Sequence, residues 1–443
     1  MNETLIDRIL GTDVDYVTAA VPLFFALAAI EFLCAWVARF PTFRLNDSIS
    51  DLGCGIIDQT LKVFVHGVVL LAYIYIYEHF RIFEVQQFSP AGKWVAAFLL
   101  FLGVDFCFYW HHRFGHEWAV PWATHVVHHQ SEEFNLIVAL RQSAFEHYLL
   151  AFFYFPLALI GFPPAWYVSM WGFNLIWQFW CHTRLVGKLG PMEWIFNTPS
   201  HHRVHHGRNP KYLDKNYAGT LIIWDRLFGT FIEEQEEPVY GITKPLRSMN
   251  PVWANFHMWV ELAEDARKAP YWWDKIKIWF MPLGWLPRGL PEKPRATEVS
   301  RDSVVKYDPQ VPTGLSLYIL VQFLSVLGVG LFITENEQGT PLVQLALPAA
   351  YIIFSMLPIS GLFERKPWVL PLEIARLQLF AFGLVWHFLG TPWVAWVTVG
   401  AVLYDLVSLF WLWWYRRAIL DETQAASAAP SLSEPILAAG RHS

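Results

Sequence analysis

Long apolar runs alternate with short polar connectors over most of the chain. A bilayer crossing needs about 20 predominantly apolar residues. Nine runs approach that length, at 16–37, 60–79, 93–111, 146–162, 164–182, 313–333, 341–361, 369–389 and 391–415. The pattern predicts an all-α, polytopic integral membrane protein with about nine transmembrane helices. Phe162-Pro163-Pro164 leaves only a tight turn between the fourth and fifth runs. The stretch 231–312 breaks the pattern. Trp253, Trp259, Trp272, Trp273, Trp279 and Trp285 alternate there with charges, and the apolar pieces are too short to span. Helices lying in the membrane interface are expected instead.

These shifts divide the chain into four parts: a five-helix core over 1–240, interfacial helices and a linker over 241–312, a four-helix membrane region over 313–420, and a disordered tail over 421–443. The opening MNETLIDRIL is acidic rather than basic, and no A-x-A site follows the first apolar run. That run is therefore expected to persist as the first transmembrane helix rather than be cleaved. Basic residues set the expected orientation. Arg416 and Arg417 close the last run, Arg365 and Lys366 sit between the seventh and eighth, and the loop 334–340 carries Glu335 and Glu337 but no cation. The positive-inside rule then places the C-terminus inside and the N-terminus outside. Segments 38–59, 112–145 and 183–312 face the cytoplasm on this reading, with Arg81 and Lys93 running against it.

Composition narrows the class further. Of 443 residues, 55% are hydrophobic and 16% charged, against about 25% charged in soluble domains. A net charge of −6 without a long basic run excludes a nucleic-acid partner. Cys34, Cys54, Cys107 and Cys181 are scattered, form no CxxC pair and read as reduced packing residues.

The histidines carry the chemistry. Twelve of the 17 fall between His111 and His206. Polar groups near membrane depth are costly and usually functional. His112 and His116 form an H-x3-H set. His125, His128 and His129 form an H-x2-H-H set, and His202, His205 and His206 form another. Residues at i, i+3 and i+4 share a helix face, so each set aims several imidazoles at one point. His182 closes the fifth run on the same side and adds a ninth candidate. So many imidazoles suit two metal ions, and an imidazole-only set is compatible with iron, zinc, copper or nickel. A structural zinc site prefers four ligands and usually some cysteine. His111 and His201 each precede a stronger candidate and point about 100° away from it. His387 stands alone and reads as a packing histidine. Asp105 lies two helical turns before His112 on the same face, where its carboxylate is expected to hold the outer ring nitrogen of a ligand. Glu117 follows His116 directly and could do the same.

Taken together, H-x3-H, H-x2-H-H and a distant H-x2-H-H resemble the fatty acid hydroxylase/sterol desaturase superfamily of membrane oxygenases with a His-rich di-iron centre. Val104-Asp105-Phe106-Cys107, Leu140-Arg141-Gln142-Ser143, the run from Asn197 to Asn209 and the run from Asp214 to Thr230 are similar to its ether-lipid-cleaving branch. The resemblance is strongest over about 100–245 and extends to the four C-terminal runs by hydropathy. It implies two iron ions held by the nine histidines on the cytoplasmic face. It also implies a reaction in which O2 and tetrahydrobiopterin hydroxylate the carbon beside an alkylglycerol's ether oxygen, yielding a fatty aldehyde and glycerol. Glu117 matches the glutamate associated there with the pterin, and a carboxylate can accept two parallel N–H bonds. Asp105 and Glu117 are thus the carboxylates assigned to catalysis. Asn216, Tyr217 and Asp225 match motif positions without a derivable role. The alternative within the superfamily is a sterol or fatty-acyl hydroxylase or desaturase fed by an electron-donor protein. A metal transporter would need ligands along a path at bilayer depth, whereas these sets lie at one face.

Overall fold

The computed structural model describes residues 5–11, 16–292, 299–300, 304–337 and 339–420; the expected disordered tail lies outside the described residues. Among these residues the chain is helical and holds no strand, only isolated bridges such as Phe196 with Leu221. In order, the helices are α1 (Leu5–Leu10), α2 (Tyr16–Val37), α3 (Leu45–Phe80), α4 (Pro90–Glu117), α5 (Ala119–His129), α6 (Glu146–Leu149), α7 (Phe155–Ile160) and α8 (Pro164–Trp180). There follow α9 (Pro199–His205), α10 (Ile223–Phe228), α11 (Pro251–Lys268), α12 (Trp272–Lys277), α13 (Thr313–Asn336), α14 (Leu342–Phe363), α15 (Val369–His387) and α16 (Val394–Leu420).

Six helices are long and apolar enough to cross a membrane: α2, α4, α13, α14, α15 and α16. A seventh span arises if the two halves of α3, bent by 49°, count as one. The nine expected runs therefore differ in three places. Run 60–79 is the second half of the longer α3. Run 146–162 breaks into α6, a 3-10 turn over Ala151–Tyr154 and α7. Its interruption has a cause in Pro156, which lacks an N–H to continue the preceding turns and sits in the first turn of α7 instead. Run 164–182 forms the 17-residue α8.

Helix α4 positions the site. Ser89 caps its N-terminus by accepting from Gly92 N at 3.2 Å, and Pro90 occupies the first turn, where a missing N–H costs nothing. Its 28 residues extend about 42 Å, more than the roughly 30 Å of bilayer hydrocarbon. His112 and His116 lie in its last two turns. Helix α5 packs back along α4, and α11 packs on α5 and α3. The C-terminal helices join the core through α13 and α14, which both pack on α3. Their shared interior contains Ile56, Phe323, Ile352, Met356 and Leu412.

Candidate metal centre

All nine histidines converge, in two buried groups. His112, His116, His125, His129 and His205 form one, and His128, His182, His202 and His206 the other. Within each group the candidate ligand atoms lie within 4.8 Å of one another. Helix α5 serves both: His125 and His129, one turn apart, face the first group, while His128 faces the second. Helix α9 and the residue that caps it divide in the same manner, with His205 in the first group and His202 and His206 in the second.

The ring orientations test whether a cation fits. His112 Nδ1 lies 2.8 Å from the Tyr217 carbonyl, and His125 Nδ1 lies 2.8 Å from Glu146 Oε1. Each neighbour is an acceptor, so both Nδ1 atoms carry the proton and both Nε2 atoms are bare lone pairs. Those lone pairs face each other at 3.0 Å. In the second group, His128 Nδ1 donates to Arg141 O (3.0 Å) and His182 Nδ1 to Gln178 O (2.9 Å). Their Nε2 atoms again stand 3.1 Å apart. Opposed lone pairs at that distance repel unless a cation lies between them. Imidazole nitrogens about 2.1 Å from a metal and at right angles to each other are about 3.0 Å apart. His205 completes the argument: its Nδ1 donates to Lys215 O at 2.9 Å, and its buried Nε2 has no partner. The donor set fits a metal ion in each group.

Burial also sets the protonation state. It pushes His128 down to about 4 and His205 down to about 3, and it holds His129, His202 and His206 well below the ordinary histidine value, with neighbouring imidazoles adding to the effect. All five are neutral at pH 7, the form that ligates.

The carboxylates are arranged differently from the expectation. Asp105 is fully buried, but its oxygens accept from Thr220 N (2.6 Å), Leu221 N (3.0 Å), Trp224 Nε1 (2.9 Å) and Asn174 Nδ2 (2.7 Å), and none of these bonds is to an imidazole. It clamps the segment after Gly219 onto α4. Asp225 then fixes the same segment, accepting from Tyr217 N and Ala218 N at 2.8 Å each and from Thr230 Oγ1 at 2.6 Å. Tyr217, so held, presents its carbonyl to His112. Asn216 adopts a positive φ of 56° and bonds His201 O and Ile232 O through its amide.

The carboxylate that does hold a ligand is Glu146, unassigned by the sequence reading. It accepts from His125 Nδ1 and, at 3.3 Å, from His111 Nε2. Its only signal was a charge at the head of an apolar run. Arg141, buried against Asp51 (2.9 Å) and Gln130 (2.7 Å), orients the carbonyl that receives His128. Glu117 remains partly exposed and pairs with Arg113 at 2.8 Å. His111 and His201 are buried but join neither group.

A cavity of about 400 Å³ opens onto the histidines. His112, His125, His128, His182 and His202 form its floor. Phe24, Leu52, Ile56, Phe108, Leu140 and Phe179 supply apolar walls, and Leu327 and Leu331 of α13 close one side. The close approach of α13 depends on Gly330, where a Cβ would stand 2.8 Å from the Ile56 side chain.

A fatty acid hydroxylase family model matches residues 97–230, the stretch that holds every one of these histidines. The alkylglycerol monooxygenase of Xenopus tropicalis is 37% identical over 402 residues, which cover 90% of this chain and 88% of that one. The chain belongs to the alkylglycerol monooxygenase family. The human alkylglycerol monooxygenase is 38% identical over 376 residues, 83% of each chain. An ornithine lipid hydroxylase of Rhizobium tropici is 31% identical over 150 residues, 33% of this chain and 45% of that one. No solved structure matches. Family membership makes the chain a lipid monooxygenase, with apolar helices suited to a multi-pass membrane protein.

Proposed function

We propose that this chain is a di-iron monooxygenase that uses O2 and tetrahydrobiopterin to hydroxylate the carbon next to the ether bond of alkylglycerols. The resulting hemiacetal collapses to a fatty aldehyde and glycerol. The observation that carries this reading is the pair of buried histidine groups opening onto an apolar cavity of about 400 Å³. Five imidazoles would hold one ion and four the other. Bound iron would supply the oxidising power that activates O2 and breaks a C–H bond, which zinc cannot do. An ether oxygen weakens the adjacent C–H bond, because its lone pair stabilises electron deficiency at that carbon.

The chain's own residues do the positioning. Glu146 takes the Nδ1 proton of His125 and keeps its Nε2 directed inward. Phe108, Leu140 and Phe179 keep water from the histidine floor and give the alkyl chain an apolar bed. Glu117 stands apart from the cavity lining, at the exposed end of α4 one residue beyond His116. A water-soluble pterin could reach it without crossing the lipid path, and its carboxylate suits the pterin's paired N–H groups. Arg113 would then set the carboxylate's rotamer. Arg416 and Arg417 in the last turns of α16 support a cytoplasmic location for this face.

The test is aldehyde release from a 1-O-alkylglycerol by iron-loaded membranes, with and without tetrahydrobiopterin. Pterin-dependent release, lost in His205→Ala and shifted to a higher pterin KM in Glu117→Gln, is the expected result. An iron-bearing protein that releases no aldehyde would overturn the reading in favour of a hydroxylase or desaturase with a protein electron donor.

A further inference from the structure

We propose that Asp58 and His111 bind the hydroxyl groups of the substrate's glycerol, an inference that rests on the ether-cleaving reading above. The hydroxylated carbon bears the ether oxygen, so the diol lies only a few bonds from the reacting atom. The headgroup must therefore be buried beside the histidine floor rather than left at the water surface. A hydroxyl buried without a partner is strongly disfavoured. The same end of the cavity must then offer hydrogen-bond acceptors.

Two such acceptors are present and unused. Asp58 and His111 both line the cavity, and they are 2% and 4% exposed. Asp58 Oδ2 accepts from Gln59 Nε2 at 3.1 Å, but its buried Oδ1 has no partner. His111 gives its Nε2 proton to Glu146 at 3.3 Å, which leaves Nδ1 as a bare, buried acceptor, also without a partner. Helix α3, which carries Asp58, packs on α6, whose Glu146 accepts from both His111 and the metal-group His125, so the two acceptors belong to the histidine side of the cavity. Val21 and Phe25 of α2 and Leu331 of α13 add apolar lining that suits the alkyl chain. The secondary hydroxyl donates to Asp58 Oδ1 and the primary one to His111 Nδ1. His111, which precedes a ligand and turns away from the metals, thereby acquires a substrate role.

A site built around a hydroxyl disfavours an analogue that lacks it, because its own buried acceptors are left unpaired. The experiment compares 1-O-hexadecylglycerol with 3-hexadecyloxypropan-1-ol, which lacks the secondary hydroxyl. Aldehyde release and equilibrium binding of both radiolabelled lipids are measured on the same purified, iron-loaded protein. The wild type is expected to prefer the diol by about tenfold to a hundredfold, and Asp58→Leu, which removes the acceptor, to abolish most of that preference through KM and Kd while retaining its iron. Should Asp58→Leu lose iron, His111→Phe is compared in the same way on 1-hexadecyloxypropan-2-ol, which lacks the primary hydroxyl. Equal preference in wild type and variant overturns the subsite. If the wild type releases no aldehyde from either lipid, the ether-cleaving reading falls and binding decides the subsite. A diol preference lost in the variant retains it, and indifference to the hydroxyl removes it.

Discussion

Glu146 Oε1 lies 2.8 Å from His125 Nδ1 and 3.3 Å from His111 Nε2. One carboxylate oxygen thus orients a metal-facing imidazole and a cavity-facing one. Partners of this kind typically contribute tenfold to a hundredfold in metal affinity. Glu146→Gln is expected to weaken iron retention by about tenfold and Glu146→Ala by about a hundredfold. Dialysis against a graded chelator, with iron counted per protein, measures it. Retention matching the wild type would mean that His125 is oriented by packing alone.

Asp105 behaves as a clamp on the fold rather than as a partner of the metals. Asp105→Ala would leave two backbone N–H groups, an indole and an amide without their acceptor. At about 1–3 kcal/mol for each buried group, a loss of at least 3 kcal/mol is expected, read as a lower melting temperature in detergent. Iron per folded molecule should stay normal. A normal melt with lost iron would show instead that the carboxylate acts on the histidines.

Acid should unfold the metal-free protein in a particular window. Burial holds His128 at about 4 and His205 at about 3 in the folded state, against about 6.5 unfolded. The folded protein binds fewer protons between those values, so stability falls as pH drops below about 6.5 and levels off below the folded values. His128 alone accounts for about 3 kcal/mol. Buried carboxylates raised by desolvation, among them Asp225 at about 6 and Glu132 and Asp214, work in the opposite sense. The histidine share is therefore read as the difference between wild-type apoprotein and His128→Gln: the wild-type melting temperature should fall more steeply between about pH 6.5 and about pH 4 than that of the variant. Parallel curves for the two proteins would contradict the assignment.

Arg376 and Glu373 are fully buried inside the C-terminal bundle, 2.7 Å apart, and Tyr318 donates to Glu373 at 2.6 Å. Arg376→Met leaves a carboxylate buried without its cation and is expected to cost about 3–5 kcal/mol. The double variant Glu373→Leu with Arg376→Met should recover most of that loss, because the charges disappear together. Denaturant midpoints in detergent decide it. A double variant no better than the single one would mean that the remaining polar partners, such as Gln322, hold the bundle.

Local spacing made the three histidine sets readable in the sequence, since i, i+3 and i+4 define a helix face wherever the helix goes. The division of labour was not readable. His128 and His129 are neighbours yet serve different groups, and only the crossing of α5 over α4 and α9 decides which serves which. Glu146 escaped notice because an apolar stretch follows it, and hydropathy absorbed it into a membrane run. The length of that run misled for the same reason: hydropathy averages over Pro156 and over a charge anchored to two imidazoles. The partners of Asp105 come from residues 69 to 119 positions later, beyond any local rule.

The alternation along α5 makes the centre intolerant of slippage. One inserted residue between Ala119 and His125 would turn the whole histidine set by about 100°. Because His125 and His129 serve one group and His128 the other, that single rotation would pull imidazoles out of both groups together. Neither half can be mistuned alone by a shift in this helix, and its register is inherited as a unit.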